Sequence, residues 1–216
     1  MNGLPRNSGK GGALKLGFLT FLTQGWADEG VVTVDGGGQH RGQDALRCAY
    51  ELLRHPHALI LGGRDFSASQ VPAKSKRGNR VMTVLLNRLC GIPPRDTQTG
   101  LRAIPASCPA AFSGISGGRY EYETNMLLYC KRHHIPMVEV PISTICIDGN
   151  ADSHYRPVLD SLRIGLTLFR YFLACAAGLL SGLAVFGYFM LCAAFPAFRI
   201  TLHFLRRSPR CGVPLF

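Results

Sequence analysis

Acidic residues are scarce in this chain, and long stretches have none. Asp and Glu number 13 against 24 Lys and Arg, a formal net charge of +11. Between Asp65 and Asp96 stand Lys74, Lys76, Arg77, Arg80, Arg88 and Arg95 with no acid, and after Asp160 come Arg163, Arg170, Arg199, Arg206, Arg207 and Arg210 with none. No zinc-finger, RNP-type or basic-zipper pattern accompanies this charge, which argues against nucleic acid. Charge of either sign is missing from Tyr171 to Phe198, and "LACAAGLLSGLAVFGYFMLCAAF" exceeds the roughly 20 residues that cross a bilayer as a helix. A basic block beside such a segment suits anionic headgroups or a lipid phosphate. The cysteines (48, 90, 108, 130, 146, 175, 192, 211) include no CxxC and no His pair at ligand spacing, so neither a zinc site nor a disulfide scaffold is expected. Buried thiols in a reducing compartment are the expected reading. The N-terminus "MNGLPRNSGKGG" lacks the apolar core of a signal peptide.

What is present alternates. "GGALKLGFLTFLTQ" places Leu14, Leu16, Phe18, Phe21 and Leu22 at largely helical spacing, and "VVTV" follows as a buried strand. "QDALRCAYELLRH" puts Ala45, Ala49 and Leu52 on one helical face, and "ALILGG" is a second strand. A basic helix "RVMTVLLNRLCG", a turn-rich loop "IPPRDTQTG", a helix "YEYETNMLLYCKRHH" and a strand "IPMVEVPISTICI" complete the pattern. Pro141 predicts an edge or a bulge for that last strand. Strands alternating with helices predict an α/β fold with a mostly parallel sheet and sites at the strand C-termini.

Asp35 falls where "VVTV" ends, followed by Gly36, Gly37 and Gly38. A dinucleotide-binding G-x-G-x-x-G fails here, because Arg41 stands where the frame from Gly36 needs its third glycine, and Gln39 breaks the frame from Gly37. On these residues alone a ligand-binding acid and a plain glycine turn remain equal readings.

"VTVDGGGQH", "LGGRDF", "KRGN", "DTQTGLRAIP", "RYEYETNML" and "IPMVEVPISTICIDGNADSHYRPVLDSLRI" occur in the order and spacing of one family. Over about residues 8 to 170 the chain resembles membrane-associated family 2 glycosyltransferases, in the branch of dolichol-phosphate mannosyltransferase and the enzymes that load sugar onto undecaprenyl phosphate. The resemblance implies a GT-A-type, Rossmann-like sheet flanked by helices. It also implies transfer of a sugar from a nucleotide-sugar to a polyprenyl phosphate with inversion, using Mg²⁺ or Mn²⁺ to neutralise the diphosphate leaving group. The family's Asp-x-Asp followed by Gly-Gln-His maps onto Asp35 and Gln39 as metal ligands, but Gly37 stands where the second acid would be. Lys10 and Gly11 match a segment that approaches the nucleotide. Strands ending in Pro-x-Tyr-Asn-Glu-like and Asp-Asp-Gly-Ser motifs precede that segment in the family and are missing here, so an N-terminally incomplete chain with impaired activity is expected.

The same resemblance implies that Asp96 lies near the acceptor phosphate, where it positions or binds, because an ionised phosphate needs no proton removed. A turn-capping role for Asp96 with Thr97 is the competing reading. Arg64, Lys74, Arg77 and Arg156 are the expected acceptor-phosphate residues, since guanidinium groups bind phosphate bidentately. Tyr120, Glu121, Tyr122 and Glu123 are expected to border the sugar pocket, although acids at a helix N-terminus are favoured anyway. His40 orients the metal loop or caps a helix, and His133 and His134 read as surface residues. The expected organisation is a partial glycosyltransferase domain over 1–156, a juxtamembrane amphipathic helix over 157–172, a transmembrane segment over 173–195 and a basic tail over 196–216. Expected partners are the nucleotide-sugar donor, a polyprenyl phosphate, the membrane and a membrane subunit. The expected location is the cell inner membrane or the endoplasmic reticulum, with the catalytic domain facing the cytoplasm. A non-catalytic membrane-bound homologue that binds anionic lipid or a partner subunit is the alternative.

Overall fold

Leu59, Ile60 and Leu61 are all fully buried, and a strand with no polar face has to be covered on both sides. They begin β2 (Leu59–Arg64), one of two inner strands of the sheet in a computed structural model that describes residues 7–26, 29–64, 73–143 and 157–194. β2 pairs in parallel with β4 (Met137–Ile142) and antiparallel with β3 (Arg102–Ile104). β3 pairs antiparallel in turn with β1 (Val31–Thr33), giving the order β1-β3-β2-β4. β1, β2 and β4 therefore run one way and β3 runs against them. The α/β expectation holds, with one strand reversed: three of the four described strands share a direction, and only β2 and β4 pair directly in parallel. The reason is the route of the chain. After α3 (Ala73–Cys90), residues 91–101 carry the chain into β3 beside the end of β2, and a strand entered from that end runs antiparallel. Pro141 lies in β4, an outer strand of the described sheet, as its lack of an N–H requires.

α2 (Gly42–Arg54) covers one part of the sheet. Its inward stripe is Asp44, Cys48 and Leu52, flanked by Ala45, close to the face expected from its periodicity. Cys48 and Leu52 join Ala58, Ile60, Leu101, Ala103, Val140 and Ile142 in one apolar cluster. Asp44 is buried because it has work for its carboxylate: it accepts the Ser143 N–H at 3.0 Å, and Arg47 donates to the Pro141 carbonyl at 2.8 Å. These contacts fasten α2 to the end of β4.

A second group of helices holds α1 (Gly9–Thr23) against α4 (Pro109–Ser113) and α5 (Glu121–Arg132). Phe18 meets Phe112 at 6.1 Å between ring centroids, and Phe112 meets Tyr129 edge-on at 5.8 Å. The buried Tyr122 hydroxyl donates to the Phe112 carbonyl at 2.6 Å. α1 approaches α5 so closely that a Cβ on Gly11 would collide with Tyr122 and the Gly118 backbone. Gly9 starts the helix at φ +76°, a left-handed conformation that favours glycine.

Cys48, Cys90, Cys108 and Cys130 are buried, as expected. Burial pushes Cys48 up to about 11 and Cys130 to about 12, so neither is a thiolate near neutrality. Cys175 is exposed.

The chain divides into two compact units, residues 1–169 and 170–216. In the first, the opening of α6 (Pro157–Ala194) buries Asp160, Ile164 and Leu168 on one stripe. Asp160 is fully buried and accepts from Arg119 Nε at 3.1 Å. Leu159, Leu162 and Leu166 point outward. In the second unit, Phe172, Leu173, Leu179, Leu180, Leu183, Val185, Phe186 and Met190 are all exposed. The segment Leu159–Tyr188, of 30 residues and mean hydropathy 1.7, is long and apolar enough to cross a membrane. The separate juxtamembrane and spanning segments expected over 157–172 and 173–195 fall on this single helix, with Phe195 and the basic tail outside the described residues.

Replacing Tyr122 by Phe removes the donor to Phe112 while keeping the ring. Tyr122→Phe is expected to lower unfolding stability by about 0.5–1.5 kcal/mol, because the Phe112 carbonyl loses one hydrogen bond and keeps the one from the Ile115 N–H at 3.1 Å. Urea denaturation measures it, and an unchanged midpoint would contradict the packing of α4 on α5 described above.

Candidate functional site

The C-terminal end of β1 is tied to the loop that precedes β3. Thr33 Oγ1 lies 3.3 Å from the Gly100 carbonyl and 3.4 Å from that of Arg102, either of which accepts its proton. This lays Asp35 across Gly100, where a Cβ would fall on the Asp35 carboxylate. The glycine that ends "DTQTG" is thus explained by the acid that ends the first strand. Of the three glycines after Asp35 only Gly38 is left-handed, at φ +69°, while Gly36 and Gly37 have ordinary backbone and open space around them.

Asp35 Oδ1 receives the Lys10 ammonium at 2.7 Å, and the same ammonium reaches Glu123 Oε2, also at 2.7 Å. Lys10 comes from the first turn of α1 and Glu123 from the first turn of α5. The other Asp35 oxygen, Oδ2, has the buried His40 Nε2 at 3.8 Å, longer than a direct hydrogen bond. Burial opposes the charge of Asp35, yet His40 and Lys10 together overcome it and hold the carboxyl well below the usual carboxylate range. Burial likewise works against the Lys10 ammonium, and Glu123 and Asp35 outweigh it, raising its pKa above the ordinary lysine value. The Tyr120 ring lies 5.8 Å from Lys10 Nζ.

Behind Glu123 stands Arg102, 1% exposed in the middle of the sheet. Its Nε donates to Thr99 O at 3.0 Å, Nη1 to Glu123 O at 3.0 Å and Nη2 to Thr97 O at 3.5 Å, with Glu123 Oε1 3.7 Å from Nη2. One buried guanidinium therefore binds the 97–99 turn to the start of α5.

A second charge centre lies at the end of β2. Asp96 is fully buried and accepts from Arg64 Nε at 2.7 Å, Arg64 Nη2 and the Arg64 N–H at 3.3 Å, and the Gln98 N–H at 3.1 Å. The last bond closes the turn at Thr97 and Gln98, so the turn-capping reading and the site reading meet in one residue. Glu139 supports the loop from β4: its carboxylate accepts the Arg95 N–H at 2.7 Å and the Asp96 N–H at 3.3 Å. A Cβ on Gly63 would strike that carboxylate. Thr97 Oγ1 is buried with no hydrogen-bond partner among the described residues.

The structure therefore brings Lys10 to Asp35, and Arg64 to Asp96, at the end of the sheet where β1 and β2 finish. Gln39 is half-buried on the Asp35 loop. Gly11 is filled on its Cβ side by Tyr122. The backbone of Lys74 and Arg77 belongs to α3, their side chains lie outside the described residues, and so does Arg156. His133 and His134 are exposed, as expected. The divalent ion implied between Asp35 and Gln39 does not fit the side chains as they stand. Lys10 and His40 face the two Asp35 oxygens, Gly37 supplies no ligand, and no group of three His, Cys, Asp or Glu suited to a metal occurs among the described residues. From sequence Glu123 was expected only to border the sugar pocket, with no ion-pair role, and Arg102 was not singled out. The signal for Arg102 was a lone arginine inside the apolar run "LRAI", a position where burial demands partners.

Two curated proteins resemble the chain. A protein of unassigned function from Methanocaldococcus jannaschii is 27% identical over 143 residues, covering 64% of this chain and 58% of that protein. The UDP-N-acetylglucosamine–dolichyl-phosphate N-acetylglucosaminyltransferase of Methanococcus voltae is 30% identical over 144 residues, covering 65% of this chain and 57% of that enzyme. The match thus spans less than two thirds of either relative. No family profile matches the chain, and no solved structure does. The similarity supports a glycosyltransferase-like protein.

The depressed Asp35 pKa has a consequence for stability. Asp35 contributes fully above its unfolded-state pKa of about 4, and the contribution is lost as pH falls toward the lower folded-state value. Asp35→Asn is therefore expected to flatten the fall in urea midpoint between roughly pH 4 and 2. Parallel acid limbs for parent and variant would contradict the pairing with Lys10.

Proposed function

We propose that the chain is a membrane-associated transferase that moves a sugar from a nucleotide-sugar to a polyprenyl phosphate. The observation that carries this reading is the pair of charge centres, Lys10 with Asp35 and Arg64 with Asp96, gathered from distant parts of the chain at one end of the sheet. Ligands of open α/β sheets bind outside the strand carboxyl ends. The similarity to an enzyme named for transfer of N-acetylglucosamine to dolichyl phosphate, and a helix apolar enough to span a bilayer, support the same reading.

In this proposal the donor diphosphate lies by Lys10, Gly11, Asp35 and Gln39, where the ammonium opposes the charge that develops as the leaving group departs. The acceptor phosphate lies by Arg64, with Lys74, Arg77 and Arg156 as further candidates. One phosphate oxygen attacks the anomeric carbon as the bond from that carbon to the diphosphate oxygen breaks, so the configuration inverts and the nucleoside diphosphate leaves with the electron pair. The lipid phosphate is already ionised, and no general base is needed. Asp96 accepts four hydrogen bonds, three of them from Arg64, and its role is to aim the guanidinium. GT-A architecture, membership of the dolichol-phosphate branch and a cytoplasm-facing site belong to this proposal.

Membranes carrying the full chain, given a nucleotide-sugar with labelled sugar and a polyprenyl phosphate, are expected to produce label that extracts into organic solvent. Arg64→Lys, which keeps the charge but loses the two-pronged geometry, is expected to weaken acceptor binding by about 1–3 kcal/mol with little change in donor binding. Label that appears equally without the lipid acceptor, or none with any nucleotide-sugar, would overturn the reading.

A further inference from the structure

The position of Lys10 answers why a lone carboxylate follows β1. Two carboxylate oxygens, Asp35 Oδ1 and Glu123 Oε2, share one ammonium at 2.7 Å each. Two anionic oxygens that converge on a single point are arranged as the ligands of a cation. A divalent ion bound by carboxylates sits about 2.0–2.6 Å from each oxygen, so exchanging the ammonium for an ion needs only a small inward movement. The second carboxylate does not come from position 37, whose glycine lies in open space, but from the first turn of α5. Arg102 lies on the far side of Glu123 and fixes its backbone. The His40 side chain is buried against Asp35, with Nδ1 lacking a partner among the described residues.

We propose that Asp35 and Glu123 form a cation position that this chain fills with its own Lys10, so that a lysine and a divalent ion are alternative occupants of one site. Glu123 is thereby the second acid of the site. Glu123 also retains the Arg102 guanidinium at 3.7 Å, so the four groups Lys10, Asp35, Glu123 and Arg102 balance in charge. The inference deepens the donor side of the site proposed above, but it is a claim about cation binding alone and is tested without any sugar transfer.

Mn²⁺ is titrated into the full chain at neutral pH, and free ion is followed by its electron spin resonance signal. The parent is expected to bind Mn²⁺ weakly. Lys10→Met is expected to bind about tenfold or more tightly, because two anionic ligands lose their internal counter-ion and gain an external one. Lys10→Met with Glu123→Gln is expected to lose that gain, as is Lys10→Met with Asp35→Asn. Should Lys10→Met fail to fold, Lys10→Gln keeps an N–H donor for one carboxylate and is read the same way. Affinity in the parent equal to that of the Lys10 variants would overturn the proposal, and so would a gain that survives Glu123→Gln.

Discussion

One ammonium group, half-buried between two carboxylates and close to the ring of Tyr120, fixes how α1, β1 and α5 meet. Taking ions out of water costs several kcal/mol each, and the cost is repaid only where the geometry satisfies them. Lys10 must therefore stand between Asp35 and Glu123, and neighbouring choices follow from that demand. Gly100 leaves room for the Asp35 carboxylate, and Gly11 lets α1 come down onto Tyr122. Arg102 holds the α5 start and the 97–99 turn against the same end of the sheet. Each of these residues is small, or charged and buried, where packing alone would have chosen an aliphatic side chain.

The second centre follows the same logic with different parts. Arg64 leaves β2 and is clamped by a fully buried Asp96, whose loop hangs from Glu139 on the neighbouring β4. Such a chain of supports makes the guanidinium a rigid fork rather than a mobile surface charge, which is the arrangement that anion recognition requires. The reversed strand β3 is what makes the two centres neighbours. Entering beside the end of β2 and pairing with both β1 and β2, it places the residues just before it, Asp96 to Leu101, across the ends of both strands.

Much of this was legible in the sequence, for reasons that differ by residue. The helices and the buried strand Leu59–Arg64 follow from apolar periodicity, and the exposed apolar length of α6 follows from the absence of charge. Asp35 was noticed because it ends a strand, where ligand-binding acids sit, whereas Asp96 and Arg64 came from the resemblance to a glycosyltransferase family. The direction of β3 was hidden, since a run of three residues has no period to read and its orientation depends on where the chain re-enters the sheet. Glu123 was hidden for a different reason: an acid in the first turn of a helix is favoured by the helix dipole, so its pairing with Lys10 leaves no separate mark on the sequence. Lys10 was read as a ligand of the nucleotide, and its role as counter-ion to two acids appears only when α1 and α5 are seen together.

The central claim is that Lys10 and Glu123 are energetically one unit rather than two side chains that happen to be near. A double-mutant cycle of Lys10→Met and Glu123→Gln, followed by urea unfolding at neutral pH, measures the coupling between them. Lys10→Met leaves Glu123 with only the more distant Arg102, and Glu123→Gln leaves Lys10 with only Asp35, while the double change removes both charges, so the account predicts that the double variant is more stable than the sum of the two losses allows, by about 1–3 kcal/mol. Strictly additive losses would contradict it.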